Sequence, residues 1–296
     1  MIIALPSKFP MRLSLSVTVV VLALFAATAA TAQTKANGEP VFPPVKQWEK
    51  ALRTGDMASL QGIYSTTPQP QLSGPDKNQH SVADEISFWR SFHTAGHRDL
   101  QLIQRESGDK DGAHLVSLTL SFHVRTPQGP RMRYILEDQA WQQQGTTWKI
   151  MAAKHTGIVT MPQPTQLHKD IYPKNVDAKA EIRDAIARAS REHKRIILVF
   201  GANWCYDCVV LDYVLHRADF AALVEPFIVL HVDVGEYDKN MDLAARYKVP
   251  LDRGIPALAV LDSDGSLLYS QQQGEFNSAR SMDPASLTAF LKQWKP

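Results

Sequence analysis

Two cysteines are all that the 296 residues contain. That scarcity excludes a disulfide-stapled scaffold, which would join distant segments through several scattered pairs. Charge of one sign is equally scarce: 32 Lys and Arg stand against 30 Asp and Glu, so the chain lacks the basic surplus of a nucleic-acid binder. The surplus of two comes from Lys8 and Arg12. Beyond the N-terminal segment no stretch is long and apolar enough to span a bilayer. Internal repeats and low-complexity tracts are missing as well. What remains is a globular composition, 44% hydrophobic and 21% charged, on a chain long enough for two domains.

The N-terminal segment has the three parts of an export signal. Residues 1–12 carry only positive charge, Leu13 to Ala27 is uncharged and apolar, and Ala30-Thr31-Ala32 offers small residues for cleavage before Gln33. Met11 is a second candidate start. An uncleaved anchor is the competing reading, which the Ala/Thr-rich end disfavours. No cysteine lies close enough for lipidation. Export to the periplasm is therefore expected, in a compartment where disulfides persist.

Residues 33–44, with Gly38, Pro40, Pro43 and Pro44, read as a flexible lead. Helical spacing follows at 45–52 and 59–64, then a polar loop at 66–79, then a helix at 81–93 with Val82, Ile86, Phe88 and Trp89 facing a core. After Gly96 the period becomes that of strands: Leu100 and Leu102, His114 to Val124, Arg131 to Trp141, and Trp148 to His155. The breaks fall at Gly108–Gly112, Pro127–Pro130 and Gln144-Gly145. Helices followed by a meander of long strands make an α+β domain with an antiparallel sheet. Over residues 45–158 this order resembles the SnoaL-like, cone-shaped fold of the nuclear transport factor two superfamily, which implies a role in binding a small ligand or a partner. Residues 159–176, with Pro162, Pro164 and Pro173, read as an interdomain linker.

From Asp177 helix and strand alternate. Asp177 caps a helix with Ile182, Ala185, Ile186 and Ala189 on one face. Ile196 to Phe200 is a continuous apolar run, as a strand buried on both sides requires. Cys208 to Val224 is expected as a helix, Phe227 to Val234 as a strand, and Met241 to Tyr247 as a short helix. Ala257–Leu261 and Leu267–Tyr269 form a hairpin around Asp262–Gly265, and Asp283-Pro284 opens a last helix.

This order, with Phe200-Gly-Ala-Asn-Trp204 leading into Cys205-Tyr206-Asp207-Cys208, with His231-Val-Asp-Val234, and with Gly254-Ile255-Pro256, resembles the thioredoxin family over residues 177–296. The expected fold class is thus an α+β antiparallel-sheet domain followed by an α/β thioredoxin-like domain. A strand feeding a helix puts Cys205 at the helix N-terminus, where free N–H groups and the dipole favour a thiolate. Cys208, one turn on, is placed to attack a mixed disulfide at Cys205. Cys205 is then the nucleophile and Cys208 the resolver. The resemblance implies a cis Ile255-Pro256 bond whose backbone docks an extended substrate, with Trp204 shielding the sulfurs.

Two positions depart from the family. Val199 stands where a buried carboxylate often assists the resolving thiol. Asp207 lies between the cysteines, where an anion raises thiol pKa values and favours a reducing pair. His231 is a candidate proton relay, against the blander reading of an ordinary strand histidine. A structural disulfide is a weaker account of the pair, and a zinc site weaker still, since no second pair completes four ligands. His93 and His97 read as polar residues at a helix end, and His123 and His155 as mixed core and surface residues on strands, against the sharper reading that they line the mouth of the cone.

The expectation is a thiol–disulfide oxidoreductase, with reduction favoured. It needs no bound cofactor, acts on protein disulfides and draws electrons from a membrane relay protein. The alternative is a binding or assembly factor in which the N-terminal domain carries the function and the dithiol is accessory.

Overall fold

The computed structural model describes residues 41–97, 99–168 and 170–296; the expected signal segment 1–32 and most of the lead lie outside them. Pro43 and Pro44 do not belong to a lead. They open helix α1 (Pro43–Thr54), because a first-turn N–H has no helical partner for proline to lose. Helix α2 (Met57–Ile63) follows, capped by Asp56. The stretch expected as loop contains two short strands, β1 (Gln71–Ser73) and β2 (Gln79–His80). β1 finds its partner far along the chain, which local pattern could not announce. Helix α3 (Val82–Thr94) begins with a reciprocal capping box between Ser81 and Asp84.

Four long strands build the rest of the first sheet: β3 (Gln101–Lys110), β4 (Ala113–Thr126), β5 (Gly129–Gln144) and β6 (Thr147–His155). They form an antiparallel meander, and β1 adds in parallel beside β6, giving the order β2-β1-β6-β5-β4-β3. Register shifts between Gln104 and Glu106 and between Ala140 and Trp141 mark bulges, which bend and twist the strands.

One face of this sheet carries α1 and α3. Trp48 and Trp89, both fully buried, meet edge-on there with ring centroids 5.2 Å apart. Glu137 and Gln139 share this face, because their register partners are the buried Leu118 and Val116. The opposite face of β4 and β5 is buried too, through Thr119, Ser121 and Leu136. Its cover is the following segment and the second half of the chain. Tyr134 pairs with Val159 across an antiparallel bridge, and Met161 and Gln163 are buried. The proline-rich connection is therefore packed along much of its length, and its Tyr172 is only 1% exposed.

The second half starts with α4 (Ala178–Glu192), capped by Asp177 as its sequence suggests. Strands β7 (Arg195–Gly201), β8 (Phe227–Asp233), β9 (Ala257–Leu261) and β10 (Leu267–Ser270) form a sheet in the order β10-β9-β7-β8. β7 runs parallel to β8 and antiparallel to β9. The helix expected from Cys208 to Val224 is two pieces, α5 (Tyr206–Leu215) and α6 (Ala221–Val224). Between them Arg217 pairs with Asp219 and Phe220 turns into the core, which bends the path. Helices α7 (Met241–Arg246) and α8 (Pro284–Trp294) complete the elements expected from the sequence.

The first core holds a buried polar cluster. Glu85 has no exposure and accepts hydrogen bonds from Trp89 Nε1 (2.6 Å), His80 Nε2 (2.7 Å) and the Tyr64 hydroxyl (3.2 Å). Glu137, also without exposure, has one carboxylate oxygen with no hydrogen-bond partner. Burial, and then the nearby Glu85 charge, push the Glu137 pKa well above its ordinary 4.5. The folded chain therefore holds a proton that the unfolded chain loses above that ordinary value. Stability from this site is complete at low pH and falls as pH rises towards the folded pKa. Glu137→Gln, which is neutral at every pH, should gain stability over the native chain at pH 8 and little or none at pH 4. The gain should be roughly 1.4 kcal/mol for each pH unit of the shift crossed. Thermal unfolding at the two pH values checks this; an equal gain at both would show that ionisation is not the cost.

Candidate functional site

β7 is sealed on both faces, with Ile196 to Phe200 essentially unexposed. At its carboxyl end the backbone must leave the sheet, and residues 202–205 carry it into α5. Cys205 is the N-cap of that helix, and its Sγ accepts the Cys208 N–H at 3.1 Å. The sulfur thereby takes the place of a capping oxygen, satisfying one N–H that the first turn leaves without a helical partner. Cys205 and Cys208 are joined as a disulfide, with Cα atoms 5.2 Å apart. Cys205 is 6% exposed and Cys208 fully buried, so the outer sulfur belongs to Cys205.

Four further sequence candidates gather around the pair. The Ile255–Pro256 peptide is cis, and the Ile255 carbonyl oxygen lies 3.6 Å from Cys205 Sγ. Trp204 is 41% exposed beside it, held by a hydrogen bond from Nε1 to the Gly235 carbonyl and leaning towards the exposed Tyr237 ring. The Tyr206 hydroxyl donates to Gln163 Oε1 at 3.1 Å. Two guanidinium groups pack on its ring, Arg105 at 4.2 Å and Arg280 at 5.0 Å from the centroid.

Asp207 differs most from its sequence reading. It is 8% exposed and turned away from solvent into Arg280, which binds it through the backbone N–H, Nε and Nη2 at 2.7–3.1 Å. The carboxylate expected to oppose the thiolate is therefore largely compensated by a guanidinium. Arg280 sits in the short 3-10 turn Ala279–Ser281, a long way from Asp207 in sequence, and so the pairing was not legible there. Nor was Arg105. It reaches from β3, hydrogen-bonds Asp138 and the Leu118 carbonyl, and covers Tyr206.

His231 makes no hydrogen bond to either sulfur. Its Nε2 lies 3.1 Å from Asp212 Oδ1 but out of line for a hydrogen bond, and its ring stands edge-on to Tyr172 at 5.0 Å. Val199 is buried on β7, as its place in the apolar run requires. Its neighbourhood is filled from an unforeseen direction. Asn203 clasps the backbone of Tyr172 twice, accepting its N–H at 2.9 Å and donating to its carbonyl at 2.8 Å. The Tyr172 side chain is thereby fixed beneath the dithiol. The one signal for it in the sequence is an aromatic residue between Ile171 and Pro173 in a proline-rich connection.

The other histidines singled out from the sequence lie in the first half. His93 and His97 line a cavity of about 570 Å³ with Leu52, Phe92 and Leu100 at the end of α3. His123 pairs with Asp99 near the surface. His80, Glu85 and His155 bring one ligand-type atom each within 4.8 Å of the others. A metal does not suit this trio. His155 Nδ1 accepts the Gly157 N–H at 3.1 Å, so a neutral ring carries its proton on Nε2, the atom facing Glu85. A metal-binding histidine has the reverse arrangement, donating from its outer nitrogen. Burial also lowers the His155 pKa, which keeps the ring neutral. The trio is a hydrogen-bonded part of the core.

The geometry defines a dithiol of the thiol–disulfide exchange class: a capping sulfur, a buried partner one turn on, and a carbonyl beside them. The family model that matches residues 177–263 is described as thioredoxin-like. A disulphide isomerase from Xylella fastidiosa, known as a crystal structure, is 39% identical. It aligns over 42% of this chain and 95% of its own, with a TM-score of 0.40. The thiol:disulfide interchange protein DsbD of Colwellia psychrerythraea is 26% identical over 122 residues, 40% of this chain and 19% of its own length. The C-terminal half of the chain belongs to the thioredoxin-like family. Neighbours of the N-terminal half include an NTF2-like protein from Rhodospirillum rubrum, 13% identical over 41% of this chain and all of that one, with a TM-score of 0.32.

If Arg280 neutralises Asp207, removing the guanidinium restores an uncompensated anion next to the thiols. Arg280→Gln should raise the Cys205 thiol pKa and slow its alkylation by iodoacetamide at pH 7 by about threefold to tenfold, equivalent to roughly half to one pKa unit. An unchanged rate on the reduced protein would mean that Asp207 does not act on the sulfur.

Proposed function

We propose that this protein is an exported thiol–disulfide oxidoreductase that reduces protein disulfides, with Cys205 as nucleophile and Cys208 as resolving thiol. The observation that carries the reading is the Cys205 sulfur at the head of α5, capping the Cys208 N–H beside the Ile255 carbonyl. The Cys205 thiolate attacks one sulfur of a substrate disulfide, breaking that bond and releasing a thiolate that takes up a proton. Cys208 then loses its proton and attacks Cys205 Sγ in the mixed disulfide, and the second substrate sulfur leaves as a thiol. Two electrons and two protons pass from the dithiol to the substrate. The pair is left oxidised, as in this structure. A second dithiol must restore it, and a membrane relay protein is the proposed donor.

Reduction is favoured over oxidation by the electrostatics of the site. A strong oxidant stabilises its reduced form by stabilising the thiolate. Among the described residues no Lys, Arg or His side chain hydrogen-bonds Cys205 Sγ, and Asp207, between the cysteines, is compensated by Arg280. The helix N-terminus is left as the main support of the anion. Trp204 and the Ile255 backbone offer an apolar surface and a carbonyl to an extended substrate. Residues 1–32 supply the address, and the working protein begins at Gln33 in the periplasm.

Cys205→Ser should reduce insulin disulfides no faster than the uncatalysed mixture, while Cys208→Ser should accumulate a mixed disulfide through Cys205. If Cys205→Ser retained both insulin reduction and the cellular role, the dithiol would be accessory and the N-terminal domain would carry the function.

A further inference from the structure

The connection between the two halves places one polar atom where none is satisfied. Tyr172 is 1% exposed, and its hydroxyl has no hydrogen-bond partner. Such a group loses its water on folding without replacement, so its retention calls for a physical reason. Its surroundings supply one. Gly201, the last residue of β7, is shared ground between Tyr172 and the resolving cysteine. A Cβ built on Gly201 would overlap the Tyr172 hydroxyl and lie 2.8 Å from Cys208 Sγ. The hydroxyl and the buried sulfur therefore both lie within 2.8 Å of one point.

The position is enforced from two directions. Asn203, two residues before Cys205, holds the Tyr172 backbone by paired hydrogen bonds. The edge of the His231 ring packs against the Tyr172 ring. At the register position of Val199 no acid is present to serve the resolving thiol.

We propose that the Tyr172 hydroxyl is the hydrogen-bond donor to Cys208 Sγ in the reduced protein, the role left vacant by Val199. The inference rests on Cys208 being the resolving thiol. In the disulfide each sulfur is neutral and a poor acceptor, and the hydroxyl is left without a partner, as observed. In the dithiol, and above all as Cys208 becomes the attacking thiolate, the same hydroxyl meets a strong acceptor. Burial, with the charges of Asp212 and Asp233, holds the phenol protonated, so it donates a hydrogen bond and does not remove the Cys208 proton. That proton goes to the departing substrate sulfur or to water. Because the bond exists on the reduced side alone, Tyr172 makes the pair more readily reduced than it would otherwise be, and it speeds resolution of the mixed disulfide.

Tyr172→Phe in the full chain tests this, since it removes one oxygen and keeps the ring. Equilibration with glutathione should show the variant pair three- to tenfold more reducing, about 15–30 mV at roughly 30 mV per factor of ten. The mixed disulfide formed in a single turnover should decay more slowly by a similar factor. Thermal unfolding separates a packing defect: the oxidised variant should be no less stable than the native chain, and only the reduced variant should lose stability. A glutathione equilibrium and a decay rate both unchanged would overturn the inference while leaving the oxidoreductase reading intact. Native protein without insulin reduction would instead sink that reading, whatever the Tyr172→Phe potential.

Discussion

Everything at the site depends on the end of one buried strand. β7 is enclosed on both faces, so its backbone can satisfy its hydrogen bonds only within the sheet, and on leaving the sheet it must find new partners at once. The chain solves this by starting α5 directly, with the first N–H groups presented to a side chain. That side chain is a cysteine. The sulfur that caps the helix is thus the one that the helix N-terminus favours as an anion, and in the proposed mechanism structural need and chemical use fall on one atom.

The same strand end organises the contact between the two halves. Residues from the first sheet, the connection and the turn before α8 converge on Tyr206 and Asp207, the two positions between the cysteines. The face of β4 and β5 turned away from the helices is thereby buried, with Arg105 and Asp138 as its polar contribution. An ion pair of this kind adds little net stability once its desolvation is counted. Its effect here is on position: it holds the Arg105 guanidinium against the ring of Tyr206, while Arg280 compensates Asp207 beside the dithiol. The first half is consequently part of the environment of the sulfurs as well as a neighbour of the second.

Elements with a strong local signal were readable from the chain alone. The apolar run of β7, the Asp177 cap and the Asp283-Pro284 start each rest on neighbouring residues, and the folded chain uses them as the pattern suggests. Where a partner lies far off, reading failed. β1 is a strand because β6 receives it, a pairing of segments some eighty residues apart in the chain. The connection is buried because a sheet face and the segment around the cysteines both need cover, although its few apolar residues follow no period and it is rich in proline. The extended helix after Cys208 breaks because Phe220 is drawn into the core.

By itself the sequence determined which two atoms are the candidates for chemistry. Two cysteines, three apart, after a buried strand and with Ile255-Pro256 downstream, are enough to name the sulfurs, because their spacing and helix position are local matters. Tertiary structure alone decided how those sulfurs are tuned. Whether Asp207 acts as a bare anion depends on Arg280, and the donor proposed for the Cys208 sulfur is Tyr172, whose hydroxyl another segment brings up to Gly201 beside it. The reason is the range of the forces involved. Capping and periodicity act over a few residues along the chain, whereas charge compensation and hydrogen bonding act across a few ångströms of space, between residues that only folding makes neighbours.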